Sequence, residues 1–166
     1  MEDKKIYTCC FFGHREISRS DSLKIKLYTA INELIQSGKV HTFLFGSKSQ
    51  FDDLCYEVVS ELKDIYPFIN RIYVRAEYPY IDDNYRNYLL KKYDDTYYPE
   101  GIINAGKAVY VERNYEMVDK SSFCICYYDT NYIPTIKRNQ RRTAKSGTGL
   151  AYDYAVKRGL KVLNVI

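Results

Sequence analysis

One arrangement constrains this chain more than any other: a short apolar run halts at a glycine, a stretch of helical spacing follows, and the arrangement then repeats. Ile6-Tyr7-Thr8-Cys9-Cys10-Phe11-Phe12 stops at Gly13, and Thr42-Phe43-Leu44-Phe45 stops at Gly46. Runs that are apolar at nearly every position, not every second one, fit strands buried on both faces, as in the interior of a parallel sheet. Between the two runs, Ser20-Asp21-Ser22 offers helix-capping side chains. Leu23, Leu27, Ala30, Ile31, Leu34 and Ile35 then recur at helical spacing up to Gly38. Phe51 to Lys63 repeats that spacing through Leu54, Val58 and Leu62, and Arg71-Ile72-Tyr73-Val74 reads as a third strand. Alternating strand and helix predict an α/β chain: a Rossmann-like three-layer domain with a mainly parallel central sheet. The 166 residues fit one such domain, spanning 1–166.

The second half continues less regularly. Glu77 to Glu100 is rich in Tyr and Asp and bracketed by Pro79 and Pro99. It reads as a connection over the carboxyl edge of the sheet, with a short helix over Asn84 to Lys92. Val109-Tyr110-Val111 reads as a weak strand, and Arg113 to Asp119 as the start of a helix. Phe123 to Tyr128 is a further apolar strand. Asn131 to Arg142 is a polar loop holding the basic run Lys137 to Arg142. Thr148 to Arg158 is a helix closed by Gly159, and Lys161 to Ile166 is the last strand.

Composition narrows the function classes. A net charge of +4 is mild for a duplex-DNA binder, yet it leaves room for a local anion site. The five Cys are odd in number and lack a C-x-x-C pair; four lie in apolar, strand-like runs. Buried thiols are expected, not a disulfide frame or a zinc site, and two His are too few for a histidine-rich metal site. No segment resembles a signal peptide or a membrane span, so a cytoplasmic protein without a membrane partner is expected. The 19 Tyr, with no Trp, supply apolar area with a hydroxyl attached, and the Tyr-rich middle is a candidate homodimer surface.

In open parallel sheets, ligands bind outside the carboxyl ends of the strands. Three segments fall there. Gly13-His14-Arg15 follows the first strand: glycine permits close backbone approach, Arg15 suits a phosphate or carboxylate, and His14 can donate or titrate near neutral pH. Gly46-Ser47, then Phe51-Asp52, follow the second strand and open a helix, where backbone N–H groups favour anions and Asp52 suits a ribose hydroxyl or a cap. Ser146-Gly147-Thr148-Gly149 precedes the last helix and can wrap a phosphate. It is neither a Walker A loop nor G-x-G-x-x-G.

Taken in order, these segments resemble a bacterial branch of the SLOG superfamily, which joins DNA-processing proteins of the Smf/DprA type to the LOG phosphoribohydrolases. Cys9 to Arg15, Gly46-Ser47 with Phe51-Asp52, Tyr98-Pro99-Glu100-Gly101, Arg113-Asn114-Tyr115-Glu116-Met117-Val118-Asp119 and Ser146 to Gly149 carry the resemblance, which spans nearly the whole chain. It implies a Rossmann-like fold and a nucleotide or nucleotide-derived ligand. Three pocket loops with Arg and Gly but no coherent catalytic set point to a sensor or carrier of such a ligand, ADP-ribose-like, with no further cofactor and no metal expected. The resemblance also implies that Arg113 and Asn114 hold phosphate or ribose. LOG enzymes carry Pro-Gly-Gly-x-Gly-Thr-x-x-Glu; here no Pro precedes the loop, and Ala151 stands at the Glu position. That departure argues against LOG-type cleavage of an N-glycosidic bond, for which Asp52 or Asp153 would have to substitute. Single-stranded nucleic-acid binding, through the basic run and the Tyr residues, is the third expectation.

Overall fold

The computed structural model describes residues 4–46, 48–131 and 146–166. The first apolar run becomes strand β1 (Thr8–Gly13), buried at every position. It lies between β2 (Thr42–Phe45) and β5 (Phe123–Tyr127), with Cys10 opposite Leu44 on one side and Cys124 on the other. β3 (Asn70–Val74), β4 (Asp95–Tyr97) and β6 (Lys161–Asn164) complete a six-stranded sheet in the order β4-β3-β2-β1-β5-β6. Every pair in it is parallel.

Five α-helices are found among the described residues: α1 (Asp21–Gln36), α2 (Gln50–Ile65), α3 (Asp83–Lys92), α4 (Val109–Asp119) and α5 (Gly147–Lys157). Alternation along β1 divides the interior in two. Cys9 and Phe11 join Leu27 and Ile31 of α1, Val58 of α2 and Phe43 of β2. Cys10 and Phe12 join Met117 and Val118 of α4 and Ala151 and Ala155 of α5. Helices on both faces of a parallel sheet make the three-layer, Rossmann-like α/β domain. The five cysteines are free and buried, and no described helix is long and apolar enough to cross a membrane.

Several boundaries differ from the sequence expectation. Lys4–Tyr7 forms a 3-10 turn, closed by the Thr8 hydroxyl donating to the Lys4 carbonyl at 2.7 Å, so the first strand starts at Thr8. Val109, Tyr110 and Val111 are the first turn of α4, not a strand. Their β-branched preference yields to the stripe Arg113, Met117, Val118 that α4 buries against the sheet. β4 lies within the segment that the sequence predicts to be a connection. The last helix begins at Gly147, so Ser146-Gly147-Thr148-Gly149 is a cap and first turn, not a loop ahead of a helix.

Candidate functional site

A parallel sheet delivers every outgoing loop to one edge, and a crevice opens where consecutive connections leave in opposite directions. The chain steps from β1 outward through β2 and β3 to β4, then returns to set β5 on the far side of β1. The switch point therefore lies between β1 and β5, whose last paired residues are Gly13 and Tyr127. A cleft of about 400 Å³ sits there. Glu16, Ile17 and Ser18 line it from the segment after β1, and Tyr127 and Asp129 from the end of β5.

His14 ties the two sides together. It is 2% exposed, and its Nε2 accepts the Asp129 backbone N–H at 2.8 Å. A nitrogen that accepts carries no proton, so the imidazole is held neutral. Burial lowers its pKa from the ordinary 6.5, against the opposing pull of the Asp129 carboxylate. The His14 ring stands edge-on to Tyr127 and tilts against Tyr128, which packs on Tyr152 of α5 with centroids 5.0 Å apart. One chain of rings thus links the ends of β1 and β5 to α5.

Gly13 answers to packing beneath it. A Cβ there would lie 2.3 Å from atoms of the Phe51 side chain, and that ring reaches Tyr127 at 5.9 Å. Arg15 is exposed; its carbonyl accepts the Gln50 N–H at 2.9 Å, while the Gln50 side-chain oxygen accepts the Ile17 N–H at 2.9 Å. The segment after β1 is laced to the start of α2 by these bonds. α5 opens with Ser146, whose hydroxyl accepts the Gly149 N–H at 3.0 Å. Gly147 is exposed, Thr148 half-buried and Gly149 buried. The first turn of a helix directs backbone N–H groups outward, with the positive end of the helix dipole behind them. Because Ala151 and Ala155 of α5 pack with Cys10 and Phe12, that turn comes to the edge near β1 and β5.

The remaining expected residues gather elsewhere, over β2 and β3. Arg113, 4% exposed, donates from Nη1 to the carbonyls of Gly46 at 2.5 Å and Val74 at 3.3 Å, and from Nε to Asn114 Oδ1 at 2.9 Å. Burial lowers its pKa, opposed by Tyr73 and Asp52. Asp52 accepts the Gly46 N–H at 3.3 Å while its own N–H is capped by Ser49 at 3.0 Å. A Cβ on Gly46 would meet Met117 Sδ at 2.7 Å and Arg113 Cδ at 2.9 Å. Tyr110 and Lys48 both reach Glu77, at 3.0 and 3.7 Å. These bonds bind the ends of β2 and β3 to α4. Ser47 and the basic run Lys137 to Arg142 lie outside the described residues.

No protein-family model matches the chain, and no curated protein matches it.

What the edge can do follows from which groups are committed. Burial pushes the Cys9 and Cys55 thiols well up, so neither is a thiolate at neutral pH. Among the described residues, no group of three or more His, Cys, Asp and Glu could hold a metal ion. Asp52 and Asp153 belong to helices on opposite faces of the sheet, the first buried and the second exposed. The sequence reading passed over Glu16, Ile17, Ser18, Tyr127 and Asp129. The signal that finds them is strand order: the loop after the fifth strand matters only once that strand is known to lie beside the first.

Proposed function

We propose that the chain binds a nucleotide or nucleotide-derived small molecule, ADP-ribose-like, as a sensor or carrier. The observation that carries this reading is the cleft at the β1–β5 switch point, where parallel sheets take such ligands. The first turn of α5 offers backbone N–H groups for a phosphate on the same side. The polar lining from Ser18, Glu16 and Asp129 suits sugar hydroxyls. The SLOG resemblance of Cys9 to Arg15 and Ser146 to Gly149 points to the same class of ligand. Calorimetric titration with AMP, ADP-ribose and the matching nucleosides tests it. Saturable binding that requires the phosphate, and that Ser18→Trp abolishes by filling the cleft, is the expected result. Absence of binding at millimolar ligand by the folded wild-type protein overturns it. Free base released during the titration would instead indicate a hydrolase.

A further inference from the structure

The two faces of the sheet are unequally covered. α4 and α5 pack over one face, and α5 touches β1, β5 and β6. On the other face α1 and α2 cover the central strands, and β6 leaves Lys161 and Leu163 exposed. Register pairs Phe123 with Lys161 and Ile125 with Leu163, so these four side chains point to the α1 side. Beside α1 they leave a trough of about 270 Å³. Phe123 and Ile125 form its floor, Glu33 and Leu34 of α1 one bank, and Lys161 and Leu163 of β6 the other. Leu163 is 40% exposed, whereas Val165 beyond it is buried in the α1-side core. Strands of a parallel sheet are ordinarily covered on both faces.

We infer that this face is where two copies of the chain meet, about a two-fold axis running along the trough. α1 stands one layer above the sheet, and β6 beside it leaves Lys161 and Leu163 exposed. The surface is therefore a step, and a step turned about an axis along its length fits itself: α1 of each copy seats over β6 of the other. The charges agree. Glu33 is the one acidic side chain lining the trough, and it faces Lys161 on the opposite bank, with Lys39 at the margin. Neither Glu33 nor Lys161 has an ion pair among the described residues; the Lys161 ammonium lies 5.9 Å over the Phe123 ring. The rotation brings Glu33 of each copy to Lys161 of the other, while Leu34, Phe123 and Leu163 close the apolar centre.

Sedimentation velocity on the full chain tests this, with circular dichroism to establish that each variant is folded. The wild type is expected to dimerise at micromolar concentration. Leu163→Glu, which sets a carboxylate at the apolar centre, raises Kd at least roughly tenfold. Glu33→Lys and Lys161→Glu each weaken self-association, because each leaves like charges facing. Mixed in equal amounts, the two variants form a heterodimer, since both contacts then join opposite charges. A monomeric wild type, a dimer indifferent to Leu163→Glu, or a mixture that does not reassociate overturns the inference.

Discussion

Gly13 is glycine because Phe51 occupies the space a side chain would need. With a Cβ 2.3 Å from three Phe51 atoms, Gly13→Ala forces the ring or strand β1 to move. Overpacking of this kind costs about 1–3 kcal/mol. Urea denaturation of Gly13→Ala should show that loss, and Gly13→Ala in a Phe51→Ala background, where Cγ and Cδ2 are gone, a smaller one. Equal losses in both backgrounds would clear the Phe51 ring as the cause. His14, next in the chain, makes the protein sensitive to mild acid. Burial sets its folded pKa below the ordinary 6.5, so the unfolded chain takes up the proton first. Its contribution is complete above that ordinary value and is lost as pH falls from there through the lower folded pKa. Glu57 and Asp94, whose carboxyl pKa values are lowered by Lys24 and Arg71 among others, act in a separate window below their ordinary 4.5 and 3.8. His14→Gln keeps an acceptor for the Asp129 N–H without the titration. Its stability between neutral pH and pH ~5 should therefore be flatter than that of the wild type, measured by thermal unfolding in a buffer series. A slope unchanged by the substitution would assign the sensitivity to another group.

At the scale of elements, α5 invites the sharpest test of ligand binding. Gly147 is its first helical residue, has no positive φ, and a Cβ there would meet nothing within 4 Å. Ser146 before it is extended, at φ −61° and ψ 155°, as a residue preceding proline must be. Gly147→Pro should therefore be accommodated, with stability unchanged or raised by about 0.4–1 kcal/mol. It deletes one N–H from the helix start and nothing else. Affinity for AMP or ADP-ribose should fall while any affinity for the nucleoside is kept; a calorimetric titration in which the phosphorylated ligand binds as before would remove α5 from the site. The elements differed in how openly they showed themselves. β1 and β2 are legible because burial on both faces leaves Thr8 and Thr42, each at a strand start, as their only polar side chains, and α1 and α2 because their caps and apolar spacing agree. β4 was hidden by its own polarity. Asp94 accepts the Arg71 N–H at 2.8 Å and its Nε at 3.1 Å, and Thr96 donates to the Tyr73 carbonyl at 2.8 Å. Contacts to β3, not an apolar run, bring Asp95–Tyr97 into the sheet.

Across the whole molecule, strand order is the fact no local pattern states. It divides residues that look alike in sequence: Gly13, His14 and the start of α5 come to the switch point, whereas Gly46, Asp52 and Arg113 tie β2 and β3 to α4. A glycine at the end of a strand looks the same in either role, because what distinguishes them is the neighbour, Phe51 for Gly13 and Arg113 for Gly46. Strand order also makes β1 the shared wall of both cores, with Cys9 and Phe11 facing one and Cys10 and Phe12 the other. Neither core can lose its packing without shifting a strand on which the other depends, so the domain should unfold as one unit. Ile31→Ala opens the α1 side and Met117→Ala the α4 side; each should cost about 2–5 kcal/mol. Since a sheet separates the two sites, their costs should add in the double variant to within about 0.5 kcal/mol. Tyrosine fluorescence and far-UV circular dichroism, followed through the same urea transition, should give coincident curves for all four proteins. Two resolved transitions, or a substitution that moves one probe and leaves the other in place, would mean that the faces unfold separately and that β1 does not couple them.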